Sequence, residues 1–247
     1  MLIMSLREYW VKKIREKIVE KRSRIILALD KIPYAEDCKE PYDNCIRLLK
    51  NIEPFIVGVK IGVPLVINYG FSLVENIIRE FNRKLVFIYD GKIADVSHVN
   101  KLIAEKVYSC GFDLIIAHGV IGLKGGLEGA INVARSRRKG LLILAAMSHE
   151  GATRLNSLAI DILTRFCNVE EVVGYILPAT YPSLIKIARE ILGENYLILS
   201  PGVGVQGAPF GMAVKAGADL EIVGRAIYES VSPREEIIKL SEIYSRL

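Results

Sequence analysis

The stretch Val86-Phe-Ile-Tyr-Asp90-Gly-Lys92-Ile-Ala-Asp95 runs apolar and then sets two carboxylates around one lysine. Side chains alternate faces along a strand, so Asp90 and Lys92, two apart, point the same way from the end of one element, and Asp95 follows on the exit loop. Three charges within six residues at the mouth of an apolar strand are costly to bury unless they pair with one another or with a substrate. An isolated D-x-K-x-x-D is more often an ion-paired plug at a strand end than a catalytic group. The rest of the chain decides between the two.

Lys60 is embedded in the apolar run Val57-Gly-Val-Lys60-Ile-Gly62, where an unpaired ammonium is strongly disfavoured. Either it pairs with a carboxylate, for which Asp90 on the adjacent strand is the nearest candidate, or it snorkels at the rim. Further along, Ser200-Pro201-Gly202-Val-Gly204-Val-Gln206-Gly207 supplies glycines that let backbone N–H groups approach an anion, and Val223-Gly224-Arg225 adds a guanidinium. Together they point to a phosphate on the substrate. Of the three histidines, His118 ends an apolar run and reads as a hydrogen-bonded core residue in preference to a site residue. His98 and His149 have no partners at metal-ligand spacing, and nothing in the residues requires a metal.

The elements that must position these groups are short apolar runs: Arg24 to Asp30, Phe55 to Gly62, Lys84 to Asp90, Leu114 to Gly119, Leu141 to Met147, Gly174 to Ala179, Tyr196 to Ser200 and Leu220 to Gly224. Segments with apolar residues at helical spacing lie between them, such as Leu73, Ile77, Ile78 and Phe81. Near-continuous apolar strands imply burial on both faces, hence a parallel sheet covered by helices. Eight such units predict a single-domain α/β chain, a (β/α)8 TIM barrel. A doubly wound sheet is the alternative, but no G-x-G-x-x-G follows the first strand. An extra helix precedes the barrel within residues 1–23, the barrel takes 24–230, and a C-terminal helix takes 231–247. The N-terminal stripe of Tyr9, Trp10, Ile14, Ile18 and Val19 either closes the barrel floor or packs on a neighbouring helix. In a parallel barrel all strand C-termini open on one face, so Asp30, Lys60, Asp90, Lys92, His118, Ser148, Thr180 and Gln206 converge on one mouth. That convergence lifts the charged motif above an ion-paired plug. The glycine-rich turn and Gly224-Arg225 follow strands seven and eight, where barrels commonly bind phosphate.

A chain of 247 residues, 51% hydrophobic, can bury a large core, and its net charge of +5 suits an anionic small substrate. The basic residues are scattered without interleaved aromatics, which argues against nucleic acid. Cys38, Cys45, Cys110 and Cys167 lack metal-ligand spacing and read as reduced packing residues. No run is long enough to span a bilayer and the N-terminus has no signal-peptide core, so a cytoplasmic protein is expected.

With these motifs in place, the chain resembles the orotidine 5′-monophosphate decarboxylase family from Ile25 to Tyr228. The resemblance rests on Leu29-Asp30, Lys60, Asp90-Gly-Lys92-Ile-Ala-Asp95, Ala146-Met-Ser148-His149, Pro178-Ala-Thr180, the Ser200 to Gly207 run and Val223-Gly224-Arg225. It implies a cofactor-independent decarboxylation that forms uridine 5′-monophosphate in pyrimidine biosynthesis. The charged network would be Lys60, Asp90, Lys92 and Asp95, in a homodimer where Asp95 reaches the other subunit's site. Asp30 would contact ribose and Ser148 the pyrimidine, while Gln206, Gly224 and Arg225 hold the phosphate. Thr180, Pro201 and Gly202 complete the substrate-binding set, and Ile116, Leu144 and Ile176 form an apolar wall near the ring. Val99, Ser97 and Tyr181 stand where the family usually has threonine, proline and arginine; each touches binding and none the proton transfer. Two rivals remain: a magnesium-using decarboxylase or aldolase of the same superfamily acting on a sugar phosphate, and a silent nucleotide-binding barrel.

Overall fold

The structure is a computed structural model that describes residues 4–33 and 40–247. Cys38 lies outside them; Cys45, Cys110 and Cys167 are free thiols. Eight strands, β1 (Ile25–Leu29), β2 (Gly58–Gly62), β3 (Val86–Ile93), β4 (Leu114–His118), β5 (Gly140–Leu144), β6 (Val172–Ile176), β7 (Leu197–Pro201) and β8 (Leu220–Val223), close into a barrel in sequence order. Every pairing is parallel, and β8 pairs back onto β1. The helices include α1 (Leu6–Lys21), α2 (Pro41–Ile52), α3 (Val63–Phe81), α4 (Ser97–Ser109) and α5 (Glu128–Arg137), with others at Ala159–Phe166, Pro182–Leu192 and Pro233–Ser245. This is the expected architecture.

Alternation explains why the strands read as unbroken apolar runs. Ile25, Leu27, Phe87, Ile115, Ile143 and Ile198 face outward and pack under the helices. Their neighbours Ile26, Val86, Ile88, Leu114, Leu142 and Leu197 fill the barrel interior. Boundaries differ most from the sequence reading at four strands. The run from Phe55 opens with a 3-10 turn at Glu53–Phe55, built on Pro54. Strands β5 and β6 stop at Leu144 and Ile176, three residues before the expected ends, where the chain leaves for loops. Strand β3 instead runs past Asp90 to Ile93 and carries most of the charged motif on the sheet itself.

The N-terminal helix closes the barrel floor. Ser5 caps α1 through a reciprocal box, accepting from the Glu8 amide while Glu8 accepts from its own. Leu6, Trp10, Val11 and Ile14 join the interior cluster of the barrel. The stripe is rotated from the expected one: Tyr9 and Val19 are exposed, and Lys17 is buried in line with Leu6, Trp10 and Ile14. Lys17 is accommodated because Nζ donates to the Lys84 carbonyl at 2.8 Å, which a hydropathy pattern does not register. No helix among the described residues is long and apolar enough to cross a membrane.

Candidate active site

The registers Ala28↔Lys60 and Gly62↔Asp90 bring the ends of β1, β2 and β3 side by side. Gly62 is needed there, because a Cβ would lie 2.2 Å from Asp30 Oδ1. Lys60 Nζ donates to Asp90 Oδ2 at 2.7 Å and to Asp30 Oδ1 at 3.3 Å. Lys92 Nζ donates to Asp90 Oδ1 at 2.7 Å. The result is a row of alternating charge, Asp30–Lys60–Asp90–Lys92. Lys60 therefore pairs and does not snorkel.

Burial separates the roles of the two lysines. Lys60 and Asp90 are 6% and 8% exposed, whereas the Lys92 side chain keeps 39% and opens on the cavity. Burial alone pushes the Asp90 carboxyl up, but Lys60 and Lys92 together outweigh it and hold Asp90 below the ordinary carboxylate range. Asp90 is thus ionised at neutral pH.

Simple alternation gives the right neighbours by a less simple route. Between the pairs Tyr89↔Ile115 and Ile93↔Ala117, β3 carries a bulge against β4. At that bulge Lys92 adopts φ 44°, a left-handed conformation that costs a side-chain-bearing residue about 1–2 kcal/mol. Gly91 permits the turn, since a Cβ there would sit 2.3 Å from the Tyr89 ring. Backbone strain thus aims the lysine, as it does at many functional positions.

The charged row lines a cavity of about 270 Å³. Ile116, Leu144 and Ile176 make an apolar wall, and Ser148, Pro201, Gly202, Gln206, Gly224 and Arg225 line the remainder. Ser148 Oγ donates to Gln206 Oε1 at 3.3 Å, joining the β5 and β7 loops across the mouth. The β7 loop folds on itself, with Gly204 N–H on the Ala208 carbonyl at 2.8 Å and Ala208 N–H on Gly202 at 3.1 Å.

Two residues depart from expectation in placement. Thr180 is not on the cavity wall: Tyr181 N–H bonds to the Pro178 carbonyl at 3.0 Å, and this turn breaks the alternation that would have aimed Thr180 inward. Its Oγ1 is buried without a hydrogen-bond partner among the described residues. His118 is not a hydrogen-bonded core residue. It is half-buried with Nδ1 unpartnered among the described residues, and burial, with help from Lys92 and against Asp90, lowers its pKa below the usual histidine value. Asp95 is exposed and lies outside this cavity, its Oδ1 accepting from the Val96 amide at 2.7 Å.

Sequence reasoning missed the residues that pin the loops. Asn100, fully buried on α4, accepts from Asp95 N–H at 3.2 Å and donates to the Asp95 and Gly126 carbonyls. Asn156 does the same for Met147, accepting its N–H at 2.9 Å and donating to its carbonyl at 3.0 Å. Ser148 is the next residue. An asparagine five or nine residues from a loop position carries no periodic signal. Tyr228 also lines the cavity from the turn after β8, and only its proximity to Arg225 in sequence hinted at this.

Comparison with known proteins agrees with this geometry. The model of the orotidine 5′-phosphate decarboxylase / HUMPS family matches residues 23–240. An orotidine 5′-phosphate decarboxylase of Methanosarcina mazei is 34% identical over 224 residues, 91% of this chain and 96% of that one. The crystal structure of orotidine 5′-monophosphate decarboxylase from Sulfolobus solfataricus superposes with a TM-score of 0.78 at 32% identity, covering 91% of this chain and 98% of the other. The Methanocaldococcus jannaschii enzyme, complexed with the inhibitor BMP, gives a TM-score of 0.79 at 28% identity, covering 90% and 98%. With the match spanning the whole barrel and most of the last helix, the chain belongs to the orotidine 5′-phosphate decarboxylase / HUMPS family.

Proposed function

We propose that the protein decarboxylates orotidine 5′-monophosphate to uridine 5′-monophosphate and CO2 in pyrimidine biosynthesis, without a cofactor. The observation that carries this reading is the unbroken row Asp30–Lys60–Asp90–Lys92 lining a cavity that also has an apolar wall and presents Gln206 and Arg225. Breaking the C6–CO2 bond leaves an electron pair on C6 with no adjacent carbonyl to delocalise it. Stabilisation must come from fixed charge in a low-dielectric site. Lys92 Nζ, held at 2.7 Å from Asp90, faces that charge and then gives its proton to C6, so CO2 leaves and a C–H bond replaces the C–C bond. Asp90 beside the substrate carboxylate disfavours the bound ground state and favours its departure.

In this reading Asp30 takes the ribose, Ser148 the pyrimidine, and Gln206, Gly224 and Arg225 the phosphate, whose binding energy draws the β7 loop over the site. Pro201 and Gly202 shape that loop's root. Thr180 acts from behind Gly202, where its methyl stands 3.7 Å from the position a Cβ would take. Asp95 completes the charged site of a second subunit in a homodimer; its exposure and the rigid Asn100 anchor support that role. We read the protein as cytoplasmic, in keeping with its free cysteines.

The test is an ultraviolet assay for loss of orotidine 5′-monophosphate with and without a chelator. Chelator-resistant turnover supports the reading. Turnover abolished by chelator, or absent with this substrate and present with a sugar phosphate, assigns the site to the magnesium-using chemistry of the superfamily instead.

A further inference from the structure

Glu221 has no place in the chemistry above, yet it is fully buried on β8, facing outward between the inward-facing Leu220 and Ile222. A carboxylate at 0% exposure is an expensive choice beside its register partners Ile25 on β1 and Ser200 on β7, both fully buried and neither a cation. Among the described residues its partners are backbone N–H groups and one hydroxyl, not cations. Oε1 accepts from Ala213 N–H at 2.9 Å and more distantly from Val214 N–H at 3.4 Å. Oε2 accepts from Gly211 N–H at 2.9 Å and from the hydroxyl of Tyr244, on the C-terminal helix Pro233–Ser245. Burial first, and then Glu221, raise the Tyr244 pKa, so this phenol stays a donor.

These contacts fall at a mechanical joint. Gly211 and Ala213 end the segment that begins at Gly202 and carries Val205 and Gln206 along the cavity mouth. Glu221 itself stands three residues before Gly224 on the strand that delivers Arg225. One side chain therefore ties the far root of the Gln206 loop to the strand bearing Arg225, and Tyr244 ties both to the C-terminal helix. Gly211 lies close against that helix and the residues after it too, for a Cβ on it would approach Ile243 Cγ2 to 3.4 Å and Leu247 Cδ1 to 2.8 Å.

We propose that Glu221, with Tyr244, is a positioning residue that sets the spacing between the two halves of the phosphate grip. The proposal rests on the assignment of Gln206 and Arg225 to the phosphate. Charge-assisted bonds to a buried carboxylate are short and directional, so they fix a loop root better than apolar packing does. Misplacing one half of a grip by an ångström costs on the order of 100-fold in rate through lost orientation.

The test compares wild type, Glu221→Gln and Tyr244→Phe by kcat/KM for orotidine 5′-monophosphate and for the nucleoside orotidine, and by amide hydrogen exchange at Gly211 and Ala213. Glutamine keeps one acceptor for Ala213 but turns a donor toward Gly211 N–H. The expected result is a tenfold or greater fall for the nucleotide, little change for the nucleoside, and faster exchange at Gly211. Tyr244→Phe, which keeps the helix packing, moves both readouts the same way by a smaller factor and carries the test if Glu221→Gln does not fold. Equal proportional losses for nucleotide and nucleoside in a folded variant, or unchanged exchange at Gly211, overturn the proposal. Wild type that does not turn over orotidine 5′-monophosphate would refute the functional reading instead, while the exchange rates still judge the anchor.

Discussion

Replacing Lys92 by alanine separates the chemistry from the fold, because the structure assigns the side chain and the backbone of this residue different energies. The side chain is the more exposed cation of the charged row, at 39% against 8% for Lys60, which is held between Asp30 and Asp90. Its removal takes away electrostatic stabilisation at C6, worth about 10²–10³ in rate for one well-placed donor. It also takes away the proton donor, worth about 10²–10⁴. The combined loss is on the order of 10⁴–10⁷, or roughly 5–10 kcal/mol of barrier. Folding should survive, since Asp90 keeps Lys60 at 2.7 Å. The backbone gives an independent control: alanine retains the penalty of φ 44°, whereas glycine relieves it. Lys92→Gly should therefore be as inactive as Lys92→Ala yet more stable by about 1 kcal/mol. The assays are the fall in ultraviolet absorbance of orotidine 5′-monophosphate and urea unfolding. A folded Lys92→Ala variant within tenfold of wild-type kcat/KM removes the lysine from the mechanism, and a glycine variant less stable than the alanine one removes the strain.

Arg225→Ala should weaken kcat/KM for the nucleotide strongly and for the nucleoside scarcely, since a guanidinium grips phosphate through two parallel bonds; equal losses would make Arg225 structural. On the proposed homodimer with a shared Asp95, Asp95→Ala and Lys60→Ala should each be nearly inactive and regain activity when mixed, because one site of such a mixed dimer would hold all four native charges. Exchanged subunits that stay inactive sink the shared site. The Asp90 carboxyl is held below its unfolded value of about 3.8, so its contribution to stability is present above that pH and lost as pH falls through the lower folded value. The stability gap between wild type and Asp90→Asn should then narrow below about pH 4, and a gap unchanged at pH 2 contradicts the pairing. His118 should titrate below the ordinary 6.5 in an NMR pH series and move back up in Lys92→Ala, since Lys92 adds to the effect of burial; a value unmoved by that substitution places the two residues out of electrostatic contact.

The barrel was legible because two-faced burial leaves a mark that hydropathy can read. Ile25 to Leu29 is apolar at every position since odd residues meet helices and even residues meet the barrel interior. The row of charges was legible for the converse reason, as Lys60 and Asp90 interrupt such runs and can be tolerated only together. Less could be read where a local turn overrides strand parity. Thr180 counts as inward by alternation from Ile176, but the Pro178–Tyr181 turn takes it off the wall. The bulge that sets Lys92 at φ 44° is equally silent, because a motif gives the order of residues and not the register against β4. The face of α1 was misjudged by one step, since Lys17 looks solvated until two carbonyls are found to receive it.

The residues that sequence pattern could not reveal share a physical role. Asn100 holds Asp95, Asn156 holds Met147 beside Ser148, and Glu221 holds Gly211 and Ala213 behind Gln206. Each is a polar side chain that satisfies loop backbone which neither strand nor helix can satisfy. A barrel supplies rigid strand ends, and on those ends the charged row needs no further support. Groups that must reach over the substrate sit on loops, where main-chain donors and acceptors have no ladder and conformational entropy works against a fixed geometry. Such loops are ordered only if something returns their hydrogen bonds, and the partner can come from anywhere in the chain: five residues away for Asn100, nine for Asn156, ten for Glu221. With no fixed spacing there is no motif to find. The charged row is readable because chemistry restricts its residue types, whereas the pegs that hold the loops around it are constrained only by distance in the folded chain.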